Sequence, residues 1–154
     1  MSKVKLEEFF LTGLALQTKT TNTNGQSAID CGNLWQEFEK EKYAEIIPGK
    51  VNGEILAVYH QYEADHTAPF SYFIGCKVKP GSEIPKGLQR LFIPAGTYQK
   101  ITAKGNMPDC LVKTWNEIWH SDIPRSYQID FEVYGEKSSD WNNAEVEIYI
   151  SIEP

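Results

Sequence analysis

The chain has few of the residues that cross-link, ligate metal or cross a membrane. Its three cysteines, Cys31, Cys76 and Cys110, are widely spaced, with no CxxC pair and no histidine at ligand spacing. A disulfide framework and a zinc site are therefore not expected. His60, His66 and His120 fall on a strand, a loop and a helix end without a carboxylate at diagnostic spacing, and read as surface residues. No apolar run approaches the roughly 18 residues of a membrane span. The opening MSKVKLEEFFLTGLAL mixes charge into its apolar residues and lacks a small-residue cleavage site, so a cytoplasmic protein without a membrane partner is expected. Positive charge is also short: 15 Lys and Arg stand against 21 Asp and Glu, a net charge of −6. Direct binding to nucleic acid needs clustered cations that release phosphate counterions, and is not expected. No glycine-rich turn ends in Lys-Ser or Lys-Thr before a helix, and no GxSxG elbow occurs. No cofactor is called for.

What the chain has in excess is aromatic rings. Four Trp, eight Tyr and seven Phe are more than a compact core of 154 residues requires, and such side chains also line ligand pockets and interfaces. The length suits one domain, residues 1–154, burying roughly two-thirds of its unfolded surface. The acidic balance mildly favours cationic ligands, although solubility alone accounts for it as well.

Periodicity divides the chain into two similar halves, about 1–79 and 87–154, on either side of the Pro/Gly-rich KPGSEIPKG. KVKLEEFFLTGLALQTKT reads as one strand with a bend or bulge at Thr12-Gly13. A helix follows from Ser27 or Asp30 to Lys42, then the alternating strands EILAVYHQY and FSYFIGCKV. The second half repeats the pattern with LQRLFIPAGTYQKITAKG, the helical MPDCLVKTWNEIWHSD, YQIDFEVYGE and AEVEIYISIE. The expected class is α+β, with duplicated strand-helix-strand-strand units, antiparallel sheet and a ligand cleft between the halves. Tyr59 in the first half corresponds to Tyr134 in the second, and Ala57 to Glu132. The carboxylate belongs to one half only.

YQIDFEVYGE poses a physical problem. Ile129, Phe131 and Val133 form one strand face, yet the opposite face carries Asp130, Glu132 and Tyr134, a carboxylate among aromatics. With IPAGTYQKITAKG and the TWNEIW helix, DFEVYG resembles the effector-binding domain of AraC-type regulators, also called the GyrI-like small-molecule-binding domain. The resemblance covers nearly all of the chain and is clearest in the second half. It implies a pseudo-twofold fold whose cleft binds small hydrophobic or cationic molecules, with Glu132 as negative charge in an aromatic pocket. It also assigns Trp115, Tyr134 and Tyr98 to that pocket. Tyr59 and Tyr72, with their polar tips, and Trp119, on the same helical stripe as Trp115, complete the candidate ligand-binding set. The alternatives are a solvated acid for Glu132, core packing for Trp115 and amphipathic covering for the tyrosines.

A binding module is the leading expectation. A small-molecule hydrolase using Glu132 as general acid or base is a second one. A protein-interaction inhibitor of a larger enzyme such as DNA gyrase is a third, and would add a protein partner. Relatives often carry a helix-turn-helix portion, for which these residues leave no room.

Overall fold

The computed structural model describes residues 2–154. One antiparallel sheet contains β1 (Ser2–Leu6), β2 (Phe9–Ala15), β3 (Ile55–His60), β4 (Ser71–Val78), β5 (Gln89–Ile93), β6 (Gly96–Gly105), β7 (Ile129–Tyr134) and β8 (Ala144–Ser151). Helix α1 (Gln26–Lys40) and the short α2 (Tyr43–Ile46) follow β2, and α3 (Asp109–Trp119) follows β6. The spatial order β1-β6-β8-β7-β3-β4-β2-β5 is unchanged when the halves are exchanged, β1 for β5 through β4 for β8. The α+β, pseudo-twofold architecture is thus written into the strand order.

Each half contains one more strand than its periodicity suggests. The first segment breaks at the exposed Glu7-Glu8 and the corresponding later segment at Pro94-Ala95. The leading strand of each half then crosses to the other half, β1 pairing with β6 and β5 with β2. Alternation records which face a residue takes, but not which partner its backbone finds. The bend expected at Thr12-Gly13 is absent, because β2 runs straight through. Gly13 instead faces Gly75 across the ladder, and a Cβ on Gly13 would collide with the Ile74 carbonyl oxygen. These glycines permit close backbone approach.

Both faces of the sheet are used. On one, α1 covers Ala57, Tyr72, Ile74 and Cys76 with Leu34 and Phe38. On the same face α3 places Cys110 and Ile118 over Ala103, Val146, Ile148 and Ile150. The other face gathers Leu11, Leu56, Val58, Phe73, Ile93, Tyr98 and Phe131 from six strands into one cluster, with Val4 and Leu6 of β1 against it. Side chains from opposite ends of the strand order meet there because the sheet curls around its own apolar face. Burying each large apolar side chain contributes about 1.5–3 kcal/mol.

The carboxylates on the second face of β7 therefore have a geometric explanation. Phe131 turns to the curled interior, with Ile129 and Val133 packed against it, and the even residues face the helices. Neither face is left to solvent: Asp130 and Glu132 are 0% and 1% exposed. At the centre of the sheet Ala57 pairs in register with Glu132, its counterpart by sequence. The pseudo-twofold axis runs between these two residues. Directly opposed side chains stand about 4.5–5.5 Å apart at Cβ, and two buried carboxylates at that distance could not both ionise. One half supplies the acid and the other a methyl group.

Candidate functional site: a cavity between the two helices

A cavity of about 340 Å³ opens on the helix-covered face, above the β3–β7 junction where the two halves meet. Residue spacing on α3 builds one wall. Leu111, Trp115 and Trp119 are four residues apart and fall on one side of the helix. Ala28 and Cys31 of α1 form the opposite wall, and Tyr59, Tyr62 and Phe70 close the space between them. Glu132 lines the floor.

The Glu132 carboxylate is held by three neutral donors. The Trp115 indole N–H donates to Oε2 at 2.6 Å, Tyr59 donates its hydroxyl to the same oxygen at 2.9 Å, and Tyr134 donates to Oε1 at 2.6 Å. Among the described residues no lysine or arginine forms a salt bridge with it. Burial raises its pKa above the ordinary carboxylate value, and the three hydrogen bonds oppose that rise without cancelling it. Its charge in turn raises the Tyr59, Tyr72 and Tyr134 hydroxyls, whose largest perturbation is their own burial. The Cys31 thiol is pushed up to about 12, first by burial and then by Glu132, which keeps it protonated near neutral pH.

The sequence-derived candidates separate into three groups. Glu132, Trp115, Tyr59 and Trp119 line the cavity. Trp115 also packs against the core beneath α3, so one indole serves both roles. Tyr134 and Tyr72 stand behind the wall: Tyr134 holds Glu132, while Tyr72 accepts the Trp35 N–H at 2.7 Å and packs on Tyr59 with ring centroids 5.0 Å apart. Tyr98 is elsewhere. It is buried on the curled face against Phe131 and Tyr149, across the sheet from Glu132. The motif containing Tyr98 does not reveal that its side chain takes the face of β6 opposite the cavity.

Several residues at the cavity escaped the sequence analysis. The Arg125 side chain is buried and pairs with Asp130 through Nη2 at 2.7 Å. Asp130 also accepts the Tyr62 hydroxyl at 2.6 Å and the Ser151 backbone N–H at 2.9 Å. The only available signal was that Asp130 shares a strand face with Glu132. His66, expected on the surface, lines the cavity with its ring stacked on Trp119 at 5.4 Å. Burial, then the Arg125 charge, lowers its pKa.

A carboxylate on the floor of a ring-lined cavity between two helix-topped half-sheets defines a small-molecule-binding domain. The chain belongs to the family of integron-associated effector-binding proteins, whose model matches residues 4–152. It is similar to the Bacillus subtilis (strain 168) protein YobU, whose name provisionally assigns it to transcriptional regulation, with 25% identity over 77% of each chain. An integron cassette protein from the mobile metagenome of Vibrio cholerae matches at 25% identity and a TM-score of 0.75, over 99% of this chain and 95% of that one. The structure of SAV2435 bound to tetraphenylphosphonium shares the fold, with a TM-score of 0.81, 18% identity, and coverage of 99% and 93%. No helix among the described residues is long and apolar enough to cross a membrane.

Proposed function

We propose that the cavity between α1 and α3 captures a small lipophilic cation and that Glu132 is its electrostatic anchor. The observation that carries this reading is a buried carboxylate on a cavity floor, held among the described residues only by Trp115, Tyr59 and Tyr134. Neutral donors solvate the charge but do not match it. A buried unpaired ion costs several kcal/mol. A cation about 4 Å away recovers roughly 4 kcal/mol at an effective dielectric near 20, before its own desolvation is subtracted. The faces of Trp115, Trp119 and Tyr59 each add about 0.5–2 kcal/mol to a cation seated over them. The ligand bound to SAV2435 is a cation of this kind.

In this reading the protein is an effector sensor of the AraC-type and GyrI-like kind, open to more than one lipophilic cation because rings and a single charge set few directional demands. Titration with tetraphenylphosphonium tests it. Binding to the parent protein, weakened at least about tenfold in Glu132→Gln, is the expected result, corresponding to about 1.4 kcal/mol. Equal affinity in both proteins removes the anchor.

A further inference from the structure

The Arg125 side chain is 4% exposed, lines the same cavity, and uses one of its donor groups on Asp130. Its Nε and Nη1 are buried and have no hydrogen-bond partner among the described residues, and the same holds for Nδ1 of His66. Both residues belong to the cavity lining. Buried guanidinium donors without acceptors are costly, because a charged group forfeits its hydration for nothing. The Tyr127 ring lies against the guanidinium at 4.3 Å and covers it, but offers these N–H groups no oxygen.

We infer that Arg125, with His66 beside it, forms a donor subsite that, once a bound ligand displaces the side chains covering these nitrogens, takes a neutral carbonyl-type oxygen of the same ligand whose cationic centre faces Glu132. This rests on the cation reading above and narrows the ligand class. Neutrality follows from the neighbours. Asp130 already matches the Arg125 charge, so a ligand carboxylate would meet two like charges, Asp130 and Glu132, on one strand face. Asp130 and Glu132 are two residues apart on that face, about 7 Å at the rise of a strand. The favoured ligand is therefore a lipophilic cation that also bears a neutral acceptor oxygen, separated from its charge by a short chain of the order of this spacing.

The test compares two triphenylphosphonium probes by calorimetric titration. One carries a hexyl chain with a ketone near its end, and the other an isosteric methyl-branched chain. The parent protein should bind the ketone about tenfold tighter, the effect of one charge-assisted hydrogen bond. Glu132→Gln should weaken both probes by the same factor. The double variant Arg125→Met with Asp130→Asn, which removes both charges together, should lose the preference. His66→Phe keeps the ring on Trp119 and should reduce the preference severalfold, so a double variant that fails to fold leaves the subsite still tested. Equal binding of the two probes to the parent, each dependent on Glu132, overturns the subsite and leaves the anchor standing. Binding of neither probe overturns both.

Discussion

Asp130 and Glu132 sit two residues apart on one face of β7, equally buried, and they have been given opposite surroundings. Asp130 has a cation, Arg125, together with the Tyr62 hydroxyl and the Ser151 backbone N–H. Glu132 has two phenols and an indole, and among the described residues no cation. The first carboxylate is electrically complete and ties the segment before β7 to β8. The second is solvated but uncompensated. In the proposed reading, a cationic guest supplies the charge that Glu132 lacks and that Asp130 already has.

The largest expected effect tests the complete site. Arg125→Ala leaves Asp130 as an unpaired buried charge and should cost about 3–5 kcal/mol of stability, measured by denaturant unfolding. A loss below about 1 kcal/mol, the range of exposed pairs, would show that the pair is not structural.

Glu132→Gln should act in the opposite sense. It removes an uncompensated charge, so it should leave the unliganded protein at least as stable as the parent while weakening phosphonium binding at least about tenfold. A folding defect comparable with that of Arg125→Ala would erase the contrast between the two acids.

The same residue sets the expected pH dependence. Its folded-state pKa lies above its unfolded value of about 4.5 because burial disfavours the charge. The associated stability is fully present below the unfolded carboxylate range and is lost as pH rises through the folded pKa. The stability advantage of Glu132→Gln over the parent should therefore grow as pH rises through that window. Affinity of the parent for a permanent cation should rise across the same window, as the anchor ionises. Thermal unfolding and titration from pH 4 upward check both trends, and a pH-independent affinity would contradict the role given to the carboxylate.

Removing one donor should have a smaller effect. Tyr59→Phe loses the 2.9 Å hydrogen bond but keeps the ring, so it should change stability by about 1 kcal/mol. Phosphonium affinity should shift only a fewfold, since the carboxylate and the aromatic wall persist. The smallest effect belongs to Tyr98→Phe, on the far side of the sheet, which should leave phosphonium affinity unchanged within error. A loss there similar to that of Glu132→Gln would mean that the curled face takes part in binding.

Much of this was legible in the chain. The alternation of YQIDFEVYGE places Asp130, Glu132 and Tyr134 on one face, and the stripe of Leu111, Val112, Trp115, Ile118 and Trp119 gives α3 its inward side, except that Val112 is exposed. The correspondence of Ala57 with Glu132 located the one-sided carboxylate and, through the β3–β7 register, the axis itself. Arg125 was not legible as a partner for Asp130, because the irregular residues 126–128 that separate it from β7 carry no period. His66 reads as a surface residue in the chain because a loop histidine gives no sign of the ring it will stack on.

The sequence by itself determined which side of each strand and helix is apolar and which acid stands among rings, because side-chain direction follows from local backbone geometry. Tertiary structure alone decided that β1 and β5 exchange halves, that the sheet curls and carries Tyr98 away from the cavity, and that Arg125 satisfies one buried acid and not the other. Those outcomes depend on contacts between residues far apart in the chain, where no local period can record the partner.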